Sequence, residues 1–220
     1  MILVLSSPKD VEKAQRIAEV VGGAVKIIGK EGNLKPKSVI TVGGDGTFFY
    51  GAKRFRDSVI LPVCGDPQRS RCFIPLRIEA EEVKDYLQKP TLDLPLFKAN
   101  ESSFINDVFV GPSQSYLSLW YEVEYEGIRD SVYSSGFLVS TPLGSTGWFK
   151  SMTGMVSSWK ARVLLLRHRE RINDGPKGIV LPDEVSVTVR GKSLTVACDG
   201  REAFVEDEIS IRKDGYVRVV

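Results

Sequence analysis

An apolar, β-branched run in the first quarter of the chain ends abruptly in three glycines around one aspartate. It reads Val39-Ile40-Thr41-Val42-Gly43-Gly44-Asp45-Gly46-Thr47. A strand that ends in a glycine turn before a helix is how α/β proteins form a seat for phosphate, because glycine amides can approach an anion closely. An aspartate there would repel phosphate unless it binds a metal or accepts a proton from a hydroxyl, so Asp45 favours phosphoryl transfer. The alternative is a tight turn in which Asp45 caps a helix that begins near Thr47.

The first 90 residues alternate short apolar runs with helical periodicity, which is typical of βαβ units and a parallel sheet. The pattern predicts strands at 1–6, 24–28, 39–42 and 59–63, and helices at 10–21, 47–56 and 80–88. The helix at 47–56 directs its free N-terminal amides at the glycine turn. The first part of the chain is therefore predicted to be an α/β domain.

Beyond residue 90 the apolar residues alternate with polar ones, as at 118–126 and 185–190. This pattern, with turn residues at regular intervals, predicts an all-β sandwich or stacked sheets. We expect a domain at 1–95 and a second domain at 96–220. Clefts between domains are preferred places for ligands.

Composition narrows the classes of function. The 220 residues carry 30 Lys and Arg against 28 Asp and Glu, a formal charge of +2. This balance argues against nucleic-acid binding and favours a small-molecule ligand. No apolar run approaches the ~18 residues of a membrane helix, and the first residues turn polar too soon for a signal peptide. We therefore expect a soluble, cytoplasmic protein that does not bind membranes.

Cysteine and histidine are scarce. Cys64, Cys72 and Cys198 are odd in number and form no C-x-x-C pair, so we expect buried thiols rather than a disulfide framework or a zinc site. The one histidine, His168, lies in a stretch of alternating charge that predicts a solvated strand face rather than a catalytic centre.

Polar clusters interrupt the β pattern of the second half at three places. Asn106 and Asp107 lie inside an apolar strand, where they could face a cleft and bind sugar hydroxyls, or could form a strand-end turn. The segment 136–148 places four hydroxyls, a proline and glycines before Trp148, which could stack on a flat base. The alternative is an ordinary loop leading to a helix capped by Ser145. Asp199-Gly200 indicates a hairpin turn.

Taken in order, these segments resemble the NAD kinases, the ATP-NAD kinase family, whose phosphate loop is shared with diacylglycerol kinases, sphingosine kinases and phosphofructokinases. Gly43-Gly44-Asp45-Gly46-Thr47 is similar to the family's GGDGT motif, and Asn106-Asp107 is similar to its Asn-Glu/Asp pair. Residues 140–148 resemble its S-T-P-T-G-S-T-A-Y segment, and Asp199-Gly200 matches its late Asp-Gly turn.

The resemblance implies an α/β, Rossmann-like N-terminal domain with a parallel sheet, a β-sandwich C-terminal domain, and phosphorylation of the adenosine ribose 2′-hydroxyl of NAD. Asp45 would be the general base, with the other site residues contacting nucleotide. These are Gly44, Gly46, Thr47, Asn106, Asp107, Ser145, Thr146, Gly147, Trp148 and Ser151. The resemblance also implies ATP or polyphosphate as donor, a divalent metal, usually Mg²⁺, whose protein ligands are unknown, and a homodimer or homotetramer.

The chain departs from the family pattern in several segments. The loop at 64–73 replaces an asparagine- and glycine-rich loop, Ser135 stands where an acidic residue is expected, and Trp148 stands where tyrosine is usual. These differences keep two alternatives open: an NAD(P)-binding module without catalysis, and a kinase of the same superfamily that acts on a lipid or sugar hydroxyl.

Overall fold

A computed structural model describes residues 1–69, 72–114 and 116–220. The chain forms two compact units. The first contains Met1–Leu94 and Tyr216–Val220, and the second contains Pro95–Gly215. Ser70 and Arg71, which belong to the divergent 64–73 loop, lie outside the described residues.

The first unit is built on a parallel sheet. Its elements are β1 (Ile2–Ser6), α1 (Val11–Val21), β2 (Ala24–Ile27), β3 (Ser38–Gly43), α2 (Asp45–Arg54), β4 (Val59–Cys64), a 3₁₀ turn (Ala80–Glu82) and α3 (Val83–Tyr86). The strand order is β2-β1-β3-β4, and all three pairings are parallel. The predicted α/β architecture is confirmed.

Local sequence explains why these elements form where they do. Helix α1 buries Ala14, Ile17 and Ala18, which recur at helical spacing. It ends at Gly22, which has a φ of 66° in the left-handed region, and the Gly22 amide donates to the carbonyl of Ala18. The apolar residues of β1, β3 and β4 are buried on both faces, as is typical of a parallel sheet.

The second unit is rich in β-structure. Its elements are β5 (Leu92–Ala99, which begins in the first unit), β6 (Ser102–Phe104), β7 (Asp107–Gly111), β8 (Leu119–Tyr125), β9 (Ile128–Ser134), β10 (Phe137–Ser140), a 3₁₀ turn (Gly144–Thr146), α4 (Trp148–Thr153), β11 (Val163–His168), β12 (Gly178–Pro182), β13 (Val187–Cys198) and β14 (Arg201–Val219). The 3₁₀ turn and the short helix α4 that follows it depart from an all-β pattern.

Strand β13 joins two branches of the sheet in this unit. Residues 187–191 pair with β8, whereas residues 195–198 pair with β7, and a register shift separates them. Side chains of both branches share one core, which includes Val110, Val123 and Val189. This arrangement agrees with the β-rich second half predicted from the alternating pattern.

The last residues of the chain belong to the first unit, whereas the sequence assigned them to a domain at 96–220. Arg218 and Val219 of β14 pair in parallel with Val59 and Ile60 of β4. The amide of Val220 continues this ladder, because it donates to the carbonyl of Ile60 at 3.0 Å. A pairing between segments so distant in sequence leaves no local signal.

Two expectations about single side chains are wrong. Cys64 and Cys72 form a disulfide, with their Cα atoms 5.8 Å apart, because the loop after β4 turns back on the strand end. His168 is 1% exposed rather than solvated. Its Nδ1 lies 2.9 Å from the Tyr121 hydroxyl, and burial lowers its pKa to about 4. The side chain points inward from β11.

Within the described ranges, no helix is both long enough and apolar enough to cross a lipid bilayer.

Candidate active site

The glycine turn leads directly from β3 into α2. Gly44 is the N-cap of the helix, and its carbonyl accepts hydrogen bonds from the amides of Thr47 and Phe48 at 3.0 and 3.3 Å. A Cβ on Gly43 would collide with the Thr47 side chain, so this position requires glycine. Helix α2 begins at Asp45 rather than near Thr47, and the Asp45 side chain does not cap it.

The Asp45 carboxylate is held from the side by a second segment of the first unit. Its Oδ1 accepts a hydrogen bond from the amide of Ile74 at 3.0 Å. Burial raises the pKa of Asp45, while hydrogen bonds from the backbone at Ile74 and Phe73 lower it. The result is a half-buried carboxylate with a raised pKa, and a raised pKa is what a proton acceptor in catalysis needs.

The loop that follows β4 lies beside this turn. Cys64 pairs in register with Gly43, and the Gly65 amide donates to the Gly43 carbonyl at 3.2 Å. Asp66 forms an ion pair with Arg69 and also accepts from the amide of Gln68 at 2.9 Å. A cavity of about 330 Å³ is lined by this loop and by the start of α1, with both basic and acidic side chains, rather than by residues 44–47.

In the second unit, Asn106 and Asp107 form a polar corner at the start of β7. The Asn106 Nδ2 donates to the Asp107 Oδ2 at 2.9 Å. Asp199 fixes the backbone of this corner, because its Oδ1 accepts from the amides of Ile105 and Asn106 at 3.2 and 2.9 Å. Burial, and then the negative charge of Asp199, raise the pKa of Asp107 to about 7.

The hydroxyl-rich loop packs against the same corner. The Thr141 amide and hydroxyl donate to the Asn106 carbonyl at 3.0 and 3.2 Å. A Cβ on Gly144 would collide with that carbonyl, so glycine is required for this close approach. The side chain of Asn106 also lies close, because its Nδ2 is 3.7 Å from the position of a Cβ on Gly147.

Ser145 is fully buried, and its hydroxyl is used within the loop. The Oγ donates to the Pro142 carbonyl at 2.6 Å and accepts from the Ser157 amide at 2.8 Å. Ser145 does not cap the following helix, as the alternative prediction required, because Gly147 is the N-cap of α4. Ser145 therefore shapes the loop.

The end of the loop presents the remaining predicted residues. Trp148 is 40% exposed, and its ring stacks on Phe109 with 5.0 Å between ring centroids. The Thr146 hydroxyl donates to the Leu143 carbonyl at 3.2 Å, while Gly147 and Ser151 are exposed. A flat, partly exposed indole beside accessible backbone suits contact with an aromatic ligand ring.

The predicted residues thus fall into two sets. The first unit holds Gly44, Asp45, Gly46 and Thr47, and the second unit holds the seven others, at 106–107, 145–148 and 151. The sequence did not predict the contact of the Ile74 amide with Asp45, because a backbone amide is present at nearly every residue. It also assigned no function to Asp199. An aspartate at a hairpin turn does not reveal that its carboxylate reaches residues 105 and 106.

A divalent metal would find few protein ligands. In the part of the chain that the structure describes, no group of three or more His, Cys, Asp or Glu side chains could hold a metal ion. A metal bound to the phosphates of a ligand would need fewer protein ligands, and Asp45 is a carboxylate at the glycine turn.

Solved structures show the class of fold. The structure matches an NAD kinase from Archaeoglobus fulgidus in complex with ATP, with a TM-score of 0.81, 19% identity, and coverage of 100% of this chain and 93% of that chain. It also matches yeast NADH kinase complexed with NADH, with a TM-score of 0.81, 16% identity, and coverage of 100% and 83%. The protein therefore has the fold of these kinases.

Sequence comparison finds curated relatives that share one name. No protein-family model matches the chain. The NAD kinase of Flavobacterium psychrophilum is 29% identical over 81% of this chain and 68% of its own length. The NAD kinase of a Marinomonas species is 26% identical over 92% of this chain and 75% of its own length. The resemblance found in the sequence is confirmed: the chain is a relative of the NAD kinases.

Proposed function

We propose that the protein is an NAD kinase, which transfers a phosphoryl group to the adenosine ribose 2′-hydroxyl of NAD and forms NADP. One observation carries the proposal: a half-buried aspartate with a raised pKa opens helix α2 between two glycines. A carboxylate in that position is suited to accept a proton from a hydroxyl beside the phosphate being transferred.

In the proposed reaction Asp45 is the general base. It accepts the proton of the ribose hydroxyl as the hydroxyl oxygen attacks the terminal phosphorus of the donor. The amides at the start of α2, including those of Gly46 and Thr47, stabilise the negative charge of the phosphates. Gly44 lets the backbone approach them closely.

The second unit would bind the dinucleotide. Asn106 and Asp107 present an amide and a carboxyl group at one corner, which suits a pair of sugar hydroxyls. The exposed ring of Trp148 would stack on the adenine, with Thr146, Gly147 and Ser151 beside it. Ser145 contributes through the shape of the loop.

The donor is proposed to be ATP, with polyphosphate as the other donor that the resemblance implies. ATP is supported by the related NAD kinase that was solved in complex with ATP. Mg²⁺ bound to the donor phosphates would screen their charge next to Asp45. The proposed assembly is a homodimer or homotetramer, which size-exclusion chromatography with light scattering would test.

The direct test is an NADP assay. The purified protein is incubated with NAD, ATP and Mg²⁺, and NADP is measured with an NADP-specific dehydrogenase. Parallel reactions with polyphosphate and with NADH define the donor and the acceptor. Absence of NADP under all these conditions would contradict the proposal.

Asp45→Asn tests the proposed base. The variant should bind NAD as the wild type does, because the amide is of equal size, yet lose about 10²- to 10⁴-fold in kcat. Asp93→Asn, at an exposed position, is the matched control for the same chemical change. Near-wild-type turnover by Asp45→Asn would refute the role of Asp45.

An NAD(P)-binding module without catalysis is the second candidate function. It is favoured by the divergent loop after β4, which the Cys64–Cys72 disulfide closes. This candidate predicts NAD or NADP binding by calorimetry with no consumption of ATP. The NADP assay separates the two candidates.

A further inference from the structure

The Cys64–Cys72 disulfide lies against the glycine turn that carries Asp45. Cys64 is the last residue of β4 and is fully buried, and it pairs in register with Gly43. The Cys72 Sγ lies 3.7 Å from the Gly43 carbonyl oxygen. The cross-link therefore fixes the start of the segment at 72–74 beside the turn.

The segment after Cys72 is held at its far end as well. Leu76 bridges to β4, because its amide donates to the Pro62 carbonyl at 2.8 Å and its carbonyl accepts from the Cys64 amide at 2.8 Å. Between these two attachments lies Ile74, whose amide donates to the Asp45 Oδ1 at 3.0 Å. The Ile74 side chain is buried, and that of Phe73 is 63% exposed.

Loss of the cross-link would release one of the two attachments. The bridge at Leu76 would remain, but Phe73 and Ile74 would be joined to the turn through one end only. A hydrogen bond that orients a catalytic group depends on how well both partners are held, and a misplacement of about 1 Å can cost about 10²-fold in rate.

We propose that Cys64 and Cys72 are positioning residues: their disulfide holds the Ile74 amide against Asp45, so that reduction of the disulfide lowers turnover. The inference rests on the proposed role of Asp45 as the general base. It adds to that role a sensitivity of the enzyme to dithiols.

The chemistry of the change is an ordinary thiol–disulfide exchange with a dithiol. One thiolate of the dithiol attacks a sulfur of the protein disulfide, which forms a mixed disulfide and releases the other cysteine as a thiolate. The second thiol of the dithiol then attacks the reagent's sulfur in the mixed disulfide and releases the remaining cysteine. The dithiol loses two electrons and two protons and becomes a cyclic disulfide. Cys64 and Cys72 each end as a thiol, so atoms and electrons balance.

The test compares oxidised and dithiothreitol-reduced enzyme. Thiol titration under denaturing conditions establishes the state of each sample, and kcat and the KM values for NAD and ATP are then measured. We expect reduction to release two thiols and to lower kcat about tenfold or more, with KM changed much less. Equal kcat in the two states would overturn the inference, as would a protein whose three cysteines stay thiols under oxidising conditions.

Substitutions separate positioning from general structural damage. Cys72→Ser should have the kcat of the reduced enzyme and should not respond to dithiothreitol, whereas Cys198→Ser should keep the response. In Asp45→Asn, where the carboxylate is absent, reduction should leave the residual kcat unchanged. A fall in the kcat of reduced Asp45→Asn equal to that of the wild type would indicate a structural role only.

The outcomes also distinguish this inference from the proposed function. If the oxidised wild type forms no NADP, the proposed function fails. If it forms NADP at the same rate before and after the release of two thiols, the proposed function stands and only the positioning role fails.

Discussion

Asp107 is a carboxylic acid whose surroundings favour its protonated form. It is 5% exposed, and Asp199 adds a negative charge nearby, which raises the pKa of Asp107 from 3.8 to about 7. Well below its ordinary pKa of 3.8 the group is protonated in both the folded and the unfolded protein. As the pH rises to 7, the unfolded chain loses this proton while the folded protein retains it, so the stability that depends on the proton is progressively lost.

Asp107→Asn should remove this pH dependence, because an amide does not titrate in this range. From pH 4 to pH 8 the free energy of unfolding of the variant should rise relative to the wild type by on the order of 4 kcal/mol, about 1.4 kcal/mol for each unit of pKa. Urea denaturation at several pH values measures this difference. Asp93→Asn controls for the change of net charge, and parallel stability profiles of Asp107→Asn and wild type would contradict the pKa.

At the level of the elements, helix stability and phosphate binding favour different residues at position 46 of helix α2. This residue is exposed inside the first turn of the helix, and a Cβ there would meet no atom within 4 Å. Alanine is favoured over glycine in helices by up to about 1 kcal/mol. The helix alone would therefore be more stable with alanine, whereas phosphate binding requires close approach to the backbone.

Gly46→Ala should consequently separate stability from activity. We expect the free energy of unfolding to rise by up to about 1 kcal/mol, and the KM for the nucleotide to rise about tenfold, equivalent to 1.4 kcal/mol. Thermal unfolding and steady-state kinetics on the same preparation measure both. Gly43→Ala is the contrasting variant, because its Cβ would collide with Thr47 and should destabilise the protein. Wild-type kinetics in Gly46→Ala would argue against phosphate at this turn.

Local patterns determined how well the elements could be predicted from the sequence. The helix that Gly22 ends and the strand before Gly43 follow from periodicity and glycine, which act over a few residues. The contact of Ile74 with Asp45 and the reach of Asp199 to Asn106 depend on how loops return in three dimensions. No local pattern of residue types predicts which distant residues a loop will contact.

For the molecule as a whole, the first unit is made of two separate parts of the chain. Val217 and Val219 are buried, and Arg218 and Val219 extend the parallel sheet beside β4. The sequence correctly predicted an α/β first part and a β-rich second part. It did not predict that the last residues join the first unit, because parallel pairing between distant segments follows from the folded topology. The last five residues thus contribute to the stability of the unit that carries Asp45.

Removal of residues 216–220 should destabilise the first unit. Burial of a valine side chain is worth about 1.5–3 kcal/mol, so the loss of Val217 and Val219 should cost about 3–6 kcal/mol. Hydrogen exchange at the amides of β4 measures the effect in this unit. Arg218→Gln, which changes an exposed side chain that donates to the Asp57 carbonyl, should leave that exchange nearly unchanged. Unaltered protection of β4 after the truncation would contradict this assignment.

The late pairing with β4 has a consequence for synthesis on the ribosome. The nascent chain completes β4 long before residues 218 and 219 emerge, so this strand lacks that partner while the intervening residues 65–217 are made. An unpaired strand edge is a template for aggregation. A fragment that stops at Leu94 should therefore associate with itself in the cell, and the 220-residue chain should depend on chaperones most strongly during its own translation.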